Sequence, residues 1–444
     1  MKGTRYVYAG IVVLVLAVAF GILKPLTADV GGGNGATNYR VDSSWPKPLP
    51  APNGHQWVTG EVGGSCIDSH DHLFTVNRGW QSGFSATAAP TPNQLQSTEG
   101  DTSVPAPPVI EYDRQGNVVN SWGDTSKDSF TFALPNGTTQ TSPNGPSKVL
   151  PQGIHGCFVD YQDNVWIAGN GDGVVQKWSH DGKTMLLQIG EKGHCDGNAA
   201  PASPANPYPT CGTPGSNTSH TLLNEPADIA VDPTNGDVYI ADGYGNHRVV
   251  VFDKDGHYLR QFGTAGGSPT DPLADPGAFG ITDGGHPHCV VIGKDGLVYV
   301  CDRLNNRIEV FAKSCGGASV NGSQPTCTPD RIIPIVDPNN LPAAAVTLPD
   351  HTPATAALGT LRACDIDFTP DKNQSTMFDT DLGNDVVWIL NRTLGQIVGH
   401  FGRAGHQCGE FSFAHTVTTD SKGNVYVAET VNGRRVQKFV RQGP

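Results

Sequence analysis

The chain has 444 residues, of which 37% are hydrophobic, 55 are glycine and 34 are proline, and its formal net charge is −13. The negative charge argues against nucleic acid and against an anionic membrane surface as partners. The hydrophobic content is low for a layered α/β enzyme, and the many glycines and prolines are typical of a chain with many turns.

The N-terminus combines positive charge with an apolar segment. Residues 6–23 are almost wholly apolar, and Lys2 and Arg5 precede them. This pattern predicts a signal peptide or an N-terminal membrane anchor within residues 1–28, and no clear cleavage motif decides between the two. In both cases we expect the rest of the chain to lie outside the cytoplasm, either secreted or tethered to the membrane.

Residues 29–53 form a Gly/Pro-rich tether that contains one strand around Val41, and residues 54–444 carry an internal repeat. The clearest copy spans residues 226–263. It contains four short apolar runs separated by turns rich in Asn, Asp and Gly, which tolerate positive φ angles. This unit resembles an NHL repeat. Six copies begin near residues 60, 153, 225, 286, 360 and 413.

A unit of this size cannot cover its own faces, so the copies must pack against one another. The sequence therefore predicts an all-β fold, a six-bladed β-propeller of NHL repeats preceded by an N-terminal hydrophobic segment. The last copy has strands for only three positions before Pro444. We expect the strand around Val41 to supply the missing outer strand and to close the ring.

Ten cysteines, an even number, suit an oxidising compartment. Their spacing predicts two disulfides that close loops, Cys195–Cys211 and Cys315–Cys327. A third pair, Cys289 and Cys301, could face each other across a hairpin. The sequence leaves four cysteines without an assigned partner: Cys66, Cys157, Cys364 and Cys408.

Histidine recurs at one position of the repeat. Counting five residues back from the Asp that ends the inner strand, or from Gly293 in the fourth blade, gives Gly63, His155, Ala227, His288, Arg362 and His415. Histidine thus occupies alternate blades, about 120° apart in a six-bladed ring. Three imidazoles at one height predict a His₃ metal site with an open fourth position, the pattern of catalytic zinc, although iron or copper stays open. His286 is close enough in sequence to support His288.

Two further residues are predicted to lie near this metal. The loop after the second strand of each blade opens at the same end of the propeller as the head of the inner strand. In the third blade this loop carries Tyr244, and in the first it carries Arg78. A phenol beside a metal and a guanidinium can act as a base, and an arginine can hold a carboxylate through two hydrogen bonds.

The chain resembles the peptidyl-α-hydroxyglycine α-amidating lyases, zinc-dependent propellers, over roughly residues 55–442. The matching motifs are Ile154-His155-Gly156, Ala241-Asp242-Gly243-Tyr244 with Asn246 and Arg248, Pro287-His288, Ala414-His415 and Arg78-Gly79. The resemblance implies that His155, His288 and His415 bind zinc. It also implies that Tyr244 is the catalytic base and that Arg78 is an active-site arginine.

The resemblance further implies cleavage of a carbinolamide C–N bond, with release of an amide and glyoxylate from a peptide or small molecule that ends in a carboxylate. Two positions depart from the family. Thr416 stands where the family has an aspartate that binds a structural calcium ion, which puts calcium in doubt, and Gly245 replaces a disulfide-bonded cysteine. The oligomeric state stays open.

Two other classes are compatible with a six-bladed propeller. A non-catalytic NHL propeller would bind a protein or glycan outside the cytoplasm, but the repeats of that class lack three axial histidines. A calcium-dependent lactonase would carry oxygen ligands on the axis, whereas imidazoles favour a softer metal than calcium.

Overall fold

Six four-stranded antiparallel sheets form the chain in a computed structural model. Apart from one 3₁₀ turn at Pro52–Gly54, every regular element in the described residues is a strand. The structure describes residues 38–78, 102–123, 130–142, 149–199, 211–281, 286–317, 327–335 and 362–443.

Each sheet is one blade, and its strands follow one another in sequence from the first, innermost strand outward. Blade 1 consists of Val62–Ile67, Leu73–Asn77, Val109–Tyr112 and Val118–Trp122. Blade 2 consists of Ile154–Val159, Val165–Gly169, Val174–Trp178 and Met185–Ile189. Blade 3 consists of Pro226–Val231, Val238–Asp242, Arg248–Phe252 and Tyr258–Phe262. Blade 4 consists of Cys289–Ile292, Leu297–Asp302, Arg307–Ala312 and Arg331–Pro334. Blade 5 consists of Asp365–Phe368, Thr376–Asp381, Val386–Asn391 and Gln396–Phe401.

Blade 6 closes the ring as the sequence predicts. Its strands Ala414–Thr419, Val425–Glu429 and Arg435–Gln442 come from the C-terminus, and Asn38–Val41 pairs antiparallel with the last of them. The Tyr39 ring packs against Phe401 and edge-on against Phe378 of blade 5. The N-terminal strand is therefore fixed both by ladder hydrogen bonds and by aromatic packing, and it completes the sixth blade with the C-terminal strands.

The blades are held together by apolar clusters between neighbouring sheets. Phe311 of blade 4 packs against Phe262 and Phe279 from the blade 3 side, with ring centroids 4.8 and 6.3 Å apart. The innermost strands also contact one another in order around the whole ring. Because each strand places alternate side chains on opposite faces, both faces of a blade are buried by its two neighbours.

The turns after the inner strands repeat one hydrogen-bonded arrangement. In blade 2, Asp160 Oδ1 accepts hydrogen bonds from the backbone N–H groups of Gln162 and Asn164, at 2.9 and 3.0 Å. Asp420 of blade 6 accepts from the corresponding residues in the same way. An aspartate at this place thus fixes the first hairpin of the blade, and it marks the repeat register in the sequence.

Four disulfides are present. The predicted pairs Cys195–Cys211 and Cys315–Cys327 are confirmed, and Cys289–Cys301 does cross its hairpin. The fourth bond, Cys66–Cys157, joins the inner strands of blades 1 and 2 across 91 residues of sequence, and the spacing of the cysteines had not revealed it. Cys364 is a buried free thiol and Cys408 an exposed one. Four disulfides indicate an extracytoplasmic location.

The hydrophobic segment predicted within residues 1–28 lies outside the described residues, so signal peptide and anchor both stay predictions. Within the part of the chain that the structure describes, no helix has the length and apolar character needed to cross a membrane. The tether boundary at residues 29–53 likewise stays a prediction.

Candidate metal centre

The three predicted histidines meet on the propeller axis. His155, His288 and His415 begin the inner strands of blades 2, 4 and 6, and each is at most 3% exposed. Their ring centroids lie 4.7 to 5.0 Å apart. One ligand nitrogen of each lies within 4.8 Å of the others. This is a convergence that a single metal ion can exploit.

Blade 5 corrects one predicted member of this ring. The inner strand there ends at Thr369, whose N–H donates to Thr376 across the first hairpin, and not at Asp367. Counting back from Thr369 places Cys364 at the axial position. The N–H of Cys364 donates to Thr380, as that of His288 donates to Cys301 in blade 4. The prediction of Arg362 at this position was wrong, because Asp367 is not the residue that ends the strand.

Each imidazole is oriented by the next blade in the ring. His155 Nδ1 donates to the carbonyl of Ala227 at 2.8 Å, and His288 Nδ1 donates to that of Cys364 at 2.6 Å. His415 faces the Gly63 carbonyl in the same sense, though outside regular hydrogen-bond geometry. A proton on Nδ1 leaves the lone pair on Nε2, so the three Nε2 atoms are the available ligands.

Electrostatics keeps these imidazoles neutral. Burial lowers the pKa of all three well below the usual range. The mutual proximity of the rings and the positive charges of Arg78 and Arg303 lower the pKa further. Only a neutral imidazole can ligate a metal, so the site is in its binding form throughout the neutral pH range.

The hydroxyl of Tyr244 lies beside the cluster of three histidines, where the open metal position is predicted. Tyr244 Oη is 3.1 Å from Nε2 of both His155 and His288. Burial raises the pKa of the phenol, and the charges of Arg303 and Arg78 act in the opposite direction. The loop after the second strand of blade 3 therefore delivers Tyr244 as predicted, but ionisation of the phenol depends on further positive charge.

Arg78 is buried at the same end. Its Nε donates to the Ile154 carbonyl at 2.9 Å, and its Nη1 pairs with Glu61 at 2.8 Å. These two contacts hold the guanidinium beside the head of blade 2, close enough to lower the pKa of His155 and His415. All five predicted site residues are therefore brought to one end of the axis.

Arg303 belongs to the site, and the sequence analysis had missed it. It follows Asp302, the last residue of the second strand of blade 4, just as Arg78 follows Asn77 in blade 1, so the repeat register could have found it. Its guanidinium lies 5.5 Å from the centre of the Tyr244 ring. Arg303 is 5% exposed, and among the described residues no carboxylate forms an ion pair with it.

Two residues near the ring support Arg303. Its Nη1 lies 3.9 Å from the thiol of Cys364, whose Sγ is also 3.7 Å from His288 Nδ1. His286 is buried, and its Nδ1 accepts a hydrogen bond from the N–H of Leu304 at 2.9 Å. His286 therefore anchors the loop that carries Arg303.

Comparison with known proteins agrees with this geometry. The NHL repeat model matches residues 223–252 and 285–311, in blades 3 and 4. Peptidyl-alpha-hydroxyglycine alpha-amidating lyase 1 of Drosophila melanogaster is 26% identical over 360 residues, 75% of this chain and 57% of that protein. The chain thus carries NHL repeats and is similar to the α-amidating lyases at modest identity.

Other relatives match more narrowly. Peptidyl-glycine alpha-amidating monooxygenase B of Xenopus laevis is 31% identical over 163 residues, 36% of this chain and 15% of that protein. NHL repeat-containing protein 3 of Homo sapiens is 25% identical over 301 residues, 66% of this chain and 62% of that protein. The chain thus spans less than two thirds of the length of these relatives. Among solved structures, a streptogramin B lyase aligns over 86% of this chain and 94% of its own at 12% identity, with a TM-score of 0.43, too low to support an inference.

The residues of this propeller's axial site fit a divalent transition metal. The donors are three neutral imidazoles whose Nδ1 atoms face carbonyls, an arrangement that directs the Nε2 lone pairs to one point. Below the ring, the axis continues into a cavity of about 180 Å³ lined in part by Asp228 and Asp365. There Thr416 is hydrogen-bonded to Ser65 at 3.0 Å.

Asp228 and Asp365 both face this cavity. Asp228 accepts the N–H of Val290 at 3.0 Å, and Asp365 that of Val417 at 2.9 Å. Burial raises the pKa of Asp228 to about 7. Burial, together with the charge of Asp228, raises that of Asp365 well above the usual range. Each carboxyl thus ties its blade to the next one at the cost of being held in an apolar channel.

Proposed function

We propose that the chain is a metal-dependent lyase that cleaves the C–N bond of a carbinolamide, R-CO-NH-CH(OH)-COO⁻, to an amide and glyoxylate. The observation that carries this proposal is the placement of one phenol hydroxyl 3.1 Å from two of three converging Nε2 atoms, with two arginines beside it. A base, a metal-ligand set and a cationic wall in one buried site suit proton abstraction from a hydroxyl next to a carboxylate.

His155, His288 and His415 would hold the metal, and a set of three imidazoles favours zinc. When bound, the ion supplies positive charge that acidifies a neighbouring hydroxyl and the Tyr244 phenol. That charge would add to those of Arg303 and Arg78 in opposing burial, which raises the pKa of Tyr244.

Tyr244 would act first as base and then as acid. The phenolate removes the proton from the substrate hydroxyl, and the C–N bond breaks as the oxygen forms the aldehyde C=O. The electron pair of that bond moves to nitrogen, and Tyr244 returns the proton to the leaving amide. Atoms and charge balance, because the hydroxyl proton ends on the amide and glyoxylate keeps its carboxylate.

Arg303 and Arg78 would have different roles in binding the substrate and in stabilising charge. Arg303 is buried without a carboxylate partner in the described part of the chain, and an uncompensated buried charge is costly unless a ligand anion offsets it. It is therefore the better candidate for binding the substrate carboxylate. Arg78 is already held by Glu61 and Ile154, so it acts as a fixed charge that favours the phenolate.

The direct test is incubation of the zinc-loaded protein with α-hydroxyhippurate, followed by measurement of glyoxylate. Turnover that disappears on chelation and returns with zinc supports the proposal. The Tyr244→Phe protein is the matched control, because it keeps the three imidazoles. A protein that binds no stoichiometric metal and produces no glyoxylate would contradict the lyase assignment and favour a non-catalytic propeller that binds a protein or glycan.

A further inference from the structure

A second group of imidazoles and carboxylates lies at the opposite end of the propeller, between blades 1 and 2. Asp68 ends the inner strand of blade 1, five residues beyond Gly63 and thus about 16 Å from the axial ring. Around its carboxylate stand His72 of the same turn, Glu111 of the third strand, and His180 from blade 2. Among these side chains, Asp68 is fully buried and Glu111 is 6% exposed.

Two other blades show a different arrangement at this place. In blade 2, Asp160 Oδ2 pairs with Lys177 at 2.9 Å, and Trp166 Nε1 donates to the same oxygen at 2.9 Å. Lys177 is the residue that lies opposite Trp166 in the ladder between the second and third strands. In blade 6, Lys438 occupies the same place opposite Tyr426, beside Asp420.

Blade 1 replaces both partners of the aspartate. Glu111 stands where blades 2 and 6 have lysine, opposite Phe74 in the ladder, and Phe74 has no polar group in place of the Trp or Tyr donor. Blade 1 therefore has two carboxylates where blades 2 and 6 have a carboxylate and an ammonium. Like charges at this spacing in a buried site are unfavourable unless a cation lies between them.

The imidazoles complete a set of four donors. His180 Nε2 is 3.0 Å from Asp68 Oδ2, and His72 Nδ1 is 2.7 Å from Glu111 Oε1 and 4.0 Å from Asp68 Oδ2. Four ligands at the usual zinc distances lie about 3.3 Å apart in a tetrahedron. One ligand atom each of Asp68, Glu111 and His180 already lies within 4.8 Å of the others, and His72 would have to move inward to join them. Small side-chain shifts would therefore turn two hydrogen-bonded pairs into one coordination sphere.

We propose that Asp68, His72, Glu111 and His180 form a second metal site, for a divalent first-row transition cation such as zinc. Two imidazole nitrogens and two carboxylate oxygens favour such an ion over calcium, which takes oxygen ligands only. The ion would join blade 1 to the turn between the third and fourth strands of blade 2. This turn lies at the end of the propeller remote from the three axial histidines. This site is independent of the proposed reaction.

The test compares zinc binding by the full-length protein and by Glu111→Lys, which restores the lysine of blades 2 and 6. Each protein is stripped with chelator, reloaded with zinc alone, desalted and measured for metal content. We expect Glu111→Lys to hold one zinc ion fewer per chain than the unmodified protein, with unchanged glyoxylate production. Its metal-free form should melt about 1–3 °C higher, because an ion pair replaces two like charges.

His180→Ala is the second variant, since His180 is partly exposed and its loss leaves the strands intact. It should also lose one zinc ion. His257→Ala is the control, because His257 pairs with Asp253 at 3.0 Å but belongs to no cluster of three metal-ligating side chains among the described residues. Equal zinc content in Glu111→Lys, His180→Ala and the unmodified protein would overturn the proposal and leave the cluster as an imidazole–carboxylate pair.

Discussion

The even-numbered and the odd-numbered blades contribute differently to the same ring. At the axial position, blades 2, 4 and 6 carry His155, His288 and His415, whereas blades 1, 3 and 5 carry Gly63, Ala227 and Cys364. The odd blades supply no metal-ligating side chain to the cluster of three histidines, but the backbone carbonyls of Ala227 and Cys364 accept the Nδ1 protons of His155 and His288.

This difference shows how a repeat with sixfold architecture can build a threefold site. Alternate small residues leave space at the axis, and their carbonyls orient the imidazoles between them. Side chains of the even blades therefore supply the three imidazoles, and backbone carbonyls of the odd blades orient them. Changes in the two sets should accordingly have different signatures.

The largest effect is expected from the even blades. Replacing His155 by Ala removes one of three ligands, so zinc affinity should fall by about 10²-fold or more and glyoxylate production should be lost. Metal analysis after desalting and the glyoxylate assay measure both. His257→Ala serves as a control for the loss of an exposed histidine, and retention of stoichiometric zinc by His155→Ala would contradict the site.

Tyr244→Phe should separate chemistry from metal binding. The ring and its packing against His155 stay, but the hydroxyl 3.1 Å from His155 and His288 is removed. We expect zinc content to be unchanged and kcat to fall by about 10²–10⁴-fold, as for loss of a positioned base. Full activity of this variant would show that another group takes the proton.

Arg303→Gln should chiefly affect substrate binding. Loss of a charge-assisted contact to a carboxylate should raise KM by about 10–100-fold, and the effect should largely vanish for a substrate whose carboxylate is esterified. Arg362→Gln is the matched control, since Arg362 lies off the axial position. Equal sensitivity of the acid and the ester to Arg303→Gln would argue against a carboxylate-binding role.

Gly63→Ala tests the odd blades. A Cβ at this position would lie 2.5 Å from the Ile154 carbonyl oxygen and 3.2 Å from His155 Cα, and both are backbone atoms. Because backbone cannot move aside cheaply, we expect a loss of about 3 kcal/mol in the free energy of unfolding, together with weaker zinc binding. Denaturation curves and zinc titration measure the two, and unaltered zinc affinity would show that inner-strand spacing does not control the ring.

The smallest effect concerns the channel below the ring. Burial raises the pKa of Asp228 in the folded chain to about 7, against about 3.9 unfolded. The folded state thus holds a proton that the unfolded state has released, so this group lowers stability as pH rises from about 4 to 7. Asp228→Asn should therefore be more stable than the unmodified protein at pH 8, and the difference should be much smaller at pH 4. Urea unfolding at both pH values is the measurement, and a difference independent of pH would contradict the assignment.

The sequence by itself determined the fold and most of the site, because both follow the repeat. Alternating apolar strands separated by Asp- and Gly-containing turns define four strands per blade, and counting from the turn Asp gives a common register. That register identified His155, His288 and His415, and the loop after the second strand identified Tyr244 and Arg78. The same register also contained Arg303, beside Asp302, without its having been noticed.

Only the tertiary structure decided what depends on contacts between blades. The assignment of Arg362 to the axis failed because the blade 5 strand ends at Thr369, and only the ladder pairing reveals that Cys364 takes the axial place. The Cys66–Cys157 bond, the Nδ1–carbonyl contacts and the Asp68–His180 pair join residues that are 72 to 112 positions apart in the chain. Local pattern sets the conformation of each strand, but ring closure brings these groups within bonding distance, so no local pattern could show them.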